Sequence, residues 1–271
     1  YTLDIRVIND KNPEDVFEFK REFSIINQMK GNDKNQRFGI VTHIHQNNLT
    51  RTQPEEGTYL LDKLGIGYIR NGFYLTRMSE VDGKWQYTGE YRRGYDLLFD
   101  ECRKNDIKIL AFLSGYPSTV QEKGNPVPNP AQLELFKKKT RDFVEYCKAS
   151  GVVTEYQLGN EINNKGRWYE HMPFEVYVQC YLKPFYEVVK EVQPEAKVII
   201  ASTARADAGW IEGVLKAGGS EYCDGASFHP YTGPSSPEIT GWYKAASQVR
   251  EMAKKQGRED LFLMSKEGNM S

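Results

Sequence analysis

Residues 37–271 carry seven short apolar segments, and the first six are each followed by a stretch with helical periodicity. The segments fall at 38–42, 65–69, 107–113, 152–158, 197–201, 225–228 and from Leu261 onward. The helical stretches fall at 55–64, 91–105, 131–150, 174–192, 206–217 and after Thr240. Strands that alternate with helices at this spacing form a parallel sheet wound in one direction. The expected fold class is therefore α/β, a (β/α)8 TIM barrel, and 271 residues match the roughly 250 typical of one such barrel. A doubly wound nucleotide-binding sheet is the competing architecture, but no Gly-rich phosphate loop follows any of the segments.

The count of segments stops at seven, so strand eight of the barrel is expected to be absent from this sequence. Residues 1–7 alternate apolar and polar, which predicts a half-exposed accessory strand outside the barrel. Residues 11–30 have an ambiguous period and carry no assignment. The expected division is an N-terminal extension, 1–36, and a barrel, 37–271. Tyr1 begins mid-strand, as in a mature or trimmed product. Residues 71–90, with Phe73, Tyr74, Trp85 and Tyr87, are expected to be an insert after strand two, too long for a plain connection and hence functional.

Composition removes several classes of partner. The net charge is −1, which leaves no electrostatic footprint for nucleic acid or an anionic membrane surface. No run approaches the length of a membrane span. The four cysteines, Cys102, Cys147, Cys180 and Cys223, are far apart and have no CxxC spacing, so they suggest neither a zinc site nor a redox pair. Aromatic residues make up 13% of the chain, with 17 Tyr, and several fall in predicted loops. Flat rings there suit the apolar faces of pyranose sugars.

Chemistry is concentrated where the apolar segments end. Val152-Val153 and Tyr156-Gln157-Leu158 run into Gly159, a turn residue, and then Asn160-Glu161. The segment from Leu261 ends in Ser265-Lys266-Glu267-Gly268. Glutamates at the ends of two parallel strands can face each other across one cleft, as acid-assisted cleavage of a glycosidic bond requires. Other strand ends supply Arg70-Asn71, His229-Pro230-Tyr231 and His43-Ile44-His45. Trp168, Tyr169 and Trp242 lie in connecting stretches.

The series Arg70, Asn160-Glu161, His229-Pro230-Tyr231 and Glu267, in this order on strands two, four, six and seven, resembles the clan A glycoside hydrolases. It is most similar to their families 39 and 5. The resemblance implies a retaining mechanism without metal or organic cofactor, acting on a β-linked oligo- or polysaccharide. It implies that Glu161 is acid/base, Glu267 nucleophile, and that Asn160 holds the sugar 2-hydroxyl. Their carboxyl groups are then expected about 5–5.5 Å apart. Arg70 is expected to keep Glu267 ionised, and Tyr231 to donate to it. His229 is expected to orient a carboxylate or bind a hydroxyl. His43 and Trp168 are expected to contact substrate. An extracellular or periplasmic location goes with that function.

Two other readings stand beside it. One is a barrel that binds carbohydrate without cleaving it. The other is a metal-dependent barrel of amidohydrolase type, which also begins with His-x-His on strand one. That type needs further histidines on strands five and six, whereas strand five here ends in Ala201-Ser202-Thr203 and the chain has four histidines in all.

Overall fold

The computed structural model describes residues 2–9, 11–22, 39–43, 53–114, 127–164, 172–231, 239 and 241–265. Seven parallel strands among them lie side by side in chain order: β3 (Ile40–Thr42), β4 (Tyr68–Tyr74), β7 (Lys108–Ser114), β8 (Val153–Leu158), β9 (Lys197–Ile199), β11 (Gly225–His229) and β12 (Phe262–Ser265). These are the seven barrel strands read from the sequence. Helices α1 (Pro54–Lys63), α2 (Gly89–Lys104), α3 (Pro130–Ser150), α6 (Ala208–Lys216) and α7 (Trp242–Lys255) fill the crossovers. The crossover from β8 to β9 holds α4 (Phe174–Tyr177), a π-helical turn (Val178–Leu182) and α5 (Lys183–Val192). The π turn ends at Leu182, two residues before Pro184, which has no N–H for the regular ladder.

Both faces of the sheet are covered, which explains the continuous apolar runs. Ile69, Ile109, Leu113, Tyr156, Leu158, Val198 and Phe228 join the helices in the main core. Leu110, Phe112 and Ile199 face the other way and meet Tyr68, Phe262 and Met264. Side chains from strands three, five and seven can share one cluster only if the sheet curls. The sheet is the wall of a TIM-type barrel, with β3 and β12 at its edges among the described residues.

Three features differ from the sequence reading. Strand two does not end at Arg70-Asn71 but continues to Tyr74, because Phe73 alternates onto the outer face and stacks on Tyr95 at 4.5 Å. The insert behind it is a hairpin, β5 (Met78–Val81) and β6 (Lys84–Tyr87), turned by Asp82 and Gly83, both with positive φ. Tyr87 is buried against Tyr95 and Tyr146. The Trp85 backbone N–H donates to Asp142 at 2.7 Å, and Lys139 lies 3.7 Å over its ring. The insert therefore packs on α2 and α3, and its aromatic rings serve that packing. Finally, the residues that carried no assignment contain β2 (Asn12–Glu22), paired antiparallel with β1 (Thr2–Asn9) in a separate two-stranded sheet. That hairpin has exposed ion pairs, Arg6 to Glu18 and Lys20 to Asp4, and an exposed Phe17.

Candidate active site

The fifth strand is interrupted where the site begins. Ile199 pairs with Gly225 and Thr203 with Phe228, so four steps on one strand oppose three on its neighbour. The extra residue is a bulge, and the chain resumes as β10 (Thr203–Ala204) against the end of β11. At the bulge Ser202 bridges to Asn160, joining the ends of strands four and five. The Tyr177 hydroxyl donates to Leu158 O at 3.2 Å and accepts from the Ala201 N–H at 3.1 Å, fixing the same two ends from the helix side. Burial holds its ionisation above the ordinary tyrosine value.

Polar side chains stack up the barrel interior towards this rim. Gln157 is fully buried; its amide nitrogen, Nε2, donates to Ser202 Oγ at 2.5 Å and Ser227 Oγ at 2.8 Å, and those two hydroxyls are 2.7 Å apart. Its Oε1 accepts from Arg70 Nε at 2.9 Å. Arg70 is also buried, with its guanidinium 3.9 Å over the Phe112 ring and one nitrogen 2.5 Å from Asn160 Oδ1. Gly72, two residues on, is needed for this stack, because a Cβ there would lie 2.7 Å from Phe112 Cζ. With Oδ1 facing a guanidinium, Asn160 has its amide N–H groups on the other side. Lower in the barrel, Tyr68 donates to Glu155; burial and then that carboxylate push its ionisation up.

Glu161 follows Asn160 with φ +48°, a left-handed conformation that costs a non-glycine residue on the order of 1–3 kcal/mol and persists only where neighbours impose it. Gly159 before it also has positive φ, and the Asn164 N–H closes the turn on Glu161 O at 3.0 Å. The Glu161 side chain is 15% exposed, and its Oε1 lies 3.0 Å from Nδ1 of the wholly buried His229. Tyr231, at the rim and 39% exposed, sets its ring edge-on to His229 at 6.0 Å.

The structure thus brings Asn160, Glu161, His229 and Tyr231 to one end of the barrel, and Arg70 reaches Asn160 from the interior below them. His43 stands exposed at the end of strand one. Glu267, Trp168, Tyr169 and His45 lie outside the described residues. Trp242 opens α7 with its ring against Tyr243. Arg70 is a mid-strand interior residue, not the strand-end residue expected. Among the described residues, no three His, Cys, Asp or Glu side chains gather in a group that could hold a metal ion. One residue at this end carries no expectation from sequence: Asn163, which binds strand five through its side chain.

By sequence, no protein-family model and no curated protein matches this chain. Solved structures do match. A family 39 glycoside hydrolase from Bacteroides cellulosilyticus WH2 superposes with a TM-score of 0.65 at 22% identity, over 88% of this chain and 46% of that one. A family 39 β-xylosidase from Caulobacter crescentus gives 0.64 at 19% identity, over 88% and 55%. The fold is that of family 39 glycoside hydrolases. An intracellular xylanase from Thermoanaerobacterium saccharolyticum also shares it, at a TM-score of 0.55, 9% identity and 85% of each chain. This chain spans about half the length of the two family 39 structures.

Proposed function

We propose that the chain is a retaining glycoside hydrolase that cleaves a β-linked oligo- or polysaccharide with Glu161 as acid/base and Glu267 as nucleophile. The observation that carries the reading is the setting of Glu161. It stands at the carboxyl end of the fourth barrel strand, where TIM-barrel enzymes carry their chemistry. Its backbone is held left-handed, and its side chain is almost enclosed against His229. The family 39 fold supports the same reading.

In this reading Glu161 protonates the leaving oxygen while Glu267 attacks the anomeric carbon. A second carboxylate nearby raises the pKa of the first; once Glu267 is esterified that repulsion ends, and Glu161 can act as base towards water. His229 Nδ1 lies 3.0 Å from Glu161 Oε1, and Asn164 Nδ2 donates to Oε2 over a longer 3.5 Å; in this reading Oε2 carries the proton in flight. Asn160, anchored through Oδ1 on Arg70, holds the sugar 2-hydroxyl in this reading. His43, Tyr231 and Trp168 complete the substrate contacts. The division at residue 36 and an extracellular or periplasmic location belong to this proposal.

Rescue by azide tests it. Glu161→Ala should retain glycosylation with acidic leaving groups, and azide should then restore turnover and yield a β-glycosyl azide. Glu267→Ala should lose several powers of ten for every leaving group and yield the α-azide, since only one displacement occurs. Swapped anomers in the product NMR would reverse the assignment. Carbohydrate binding without hydrolysis by the wild type would leave a binding barrel instead.

A further inference from the structure

We propose that Asn163 is a positioning residue for Glu161, locking the acid/base turn onto strand five. This rests on the function proposed above. Asn163 lies two residues past Glu161, inside the turn closed by Asn164. Its Oδ1 accepts from the Ala204 N–H at 2.7 Å, and its Nδ2 donates to Ala204 O at 3.1 Å and to Asp207 Oδ2 at 2.8 Å. Both amide hydrogens and the amide oxygen are thus engaged on one neighbouring segment. Asp207 is itself anchored, because its other oxygen caps α6 by accepting from the Trp210 N–H at 3.0 Å.

Ala204 is not an arbitrary anchor. It pairs with His229 across β10 and β11, and His229 Nδ1 is the group 3.0 Å from Glu161 Oε1. The contacts form a closed ring: Glu161 to Asn163 through the turn, Asn163 to Ala204, Ala204 to His229, and His229 back to Glu161. Asn163 fixes the backbone of Glu161 relative to the same strand pair that holds its carboxyl group. A left-handed glutamate relaxes unless its surroundings impose the conformation. In this ring Asn163 supplies three of the imposing bonds. Its loss should leave Glu161 in place chemically but misdirect its proton.

The test separates direction from mere stability. In Asn163→Ala, kcat/KM for alkyl β-glycosides, which need the proton, should fall by about a hundredfold. For dinitrophenyl glycosides, which do not, it should stay within about threefold of wild type. If Asn163→Ala does not fold, Asn163→Ser, which keeps a donor and an acceptor, is measured in the same series. Independently of turnover, the imidazole nitrogen resonances of His229 at fixed pH should move in Asn163→Ala in the direction seen in Glu161→Gln. With four histidines in the chain the resonances can be assigned. An inactive wild type with that movement would remove the proposed function and keep the positioning role. An equal loss for every leaving group with unchanged His229 resonances, in an active enzyme, would overturn the positioning role alone.

Discussion

Gln157 joins a buried cation to two buried hydroxyls, and its replacement shows what the interior polar stack is worth. Gln157→Leu keeps the volume but removes the acceptor for Arg70 Nε and the donor to Ser202 and Ser227. The two serines still bond each other, and Arg70 keeps Asn160. The loss therefore falls on the guanidinium and on the buried Ile200 carbonyl, which accepts from Gln157 Nε2 at 3.2 Å, and should be about 1–3 kcal/mol, read as a lower urea midpoint with an unchanged slope. No loss would mean that Arg70 finds another acceptor. This stack was only partly legible in the sequence. A lone polar residue in an apolar strand gives no sign of which face it takes, so Gln157 passed as part of the run and Arg70 as the strand's end. Glu161 was legible because it ends a strand; Asn163 was not, because a polar residue in a polar turn looks the same whether it is solvated or locked.

Helix α3 shows how an element is delimited by residues at its ends. Asn129 Oδ1 accepts from the Gln132 N–H at 2.9 Å, and Gln132 Oε1 accepts from the Asn129 N–H at 2.8 Å, a reciprocal capping box ahead of Pro130. At the other end Gly151 takes φ +72° with nothing within 4 Å of a would-be Cβ, so only conformational cost opposes a larger residue there. Asn129→Ala and Gly151→Ala should each destabilise by about 1 kcal/mol. They lie at opposite ends of a 21-residue helix, so the double variant should lose about 2 kcal/mol, additively, by chemical denaturation. A clear departure from additivity would mean that the helix ends are coupled. Such helices were legible because their apolar stripes and end signals agree. Strand β2 was not, because Glu14, Asp15, Glu18 and Lys20 interrupt its apolar pattern in an exposed hairpin. The break in strand five was also hidden, since a bulge depends on the neighbouring strand.

Across the molecule, tyrosine hydroxyls packed between sheet and helices couple the fold to alkaline pH. Tyr87, Tyr95, Tyr156 and Tyr177 are fully buried, and burial is the first cause raising each above the ordinary value of 10.0. Cys147 is raised likewise, and Cys223 is pushed up to about 12 by burial. The sign follows from which state keeps its protons. Below about pH 9 these groups are protonated in both states and do not affect the balance. Above the unfolded values, near 9 for the thiols and 10 for the phenols, the unfolded chain releases protons that the folded chain retains. Each such group then lowers stability by about 1.4 kcal/mol per pH unit until its folded pKa is reached. Four tyrosines and two thiols acting together would exhaust a typical stability of about 5–15 kcal/mol within one to two pH units. The chain should therefore unfold cooperatively between about pH 10 and 12, with the late tyrosinate absorbance at 295 nm rising in step with loss of far-ultraviolet circular dichroism. Ionisation of all 17 tyrosines with the dichroism intact would show that these side chains are not enclosed in solution.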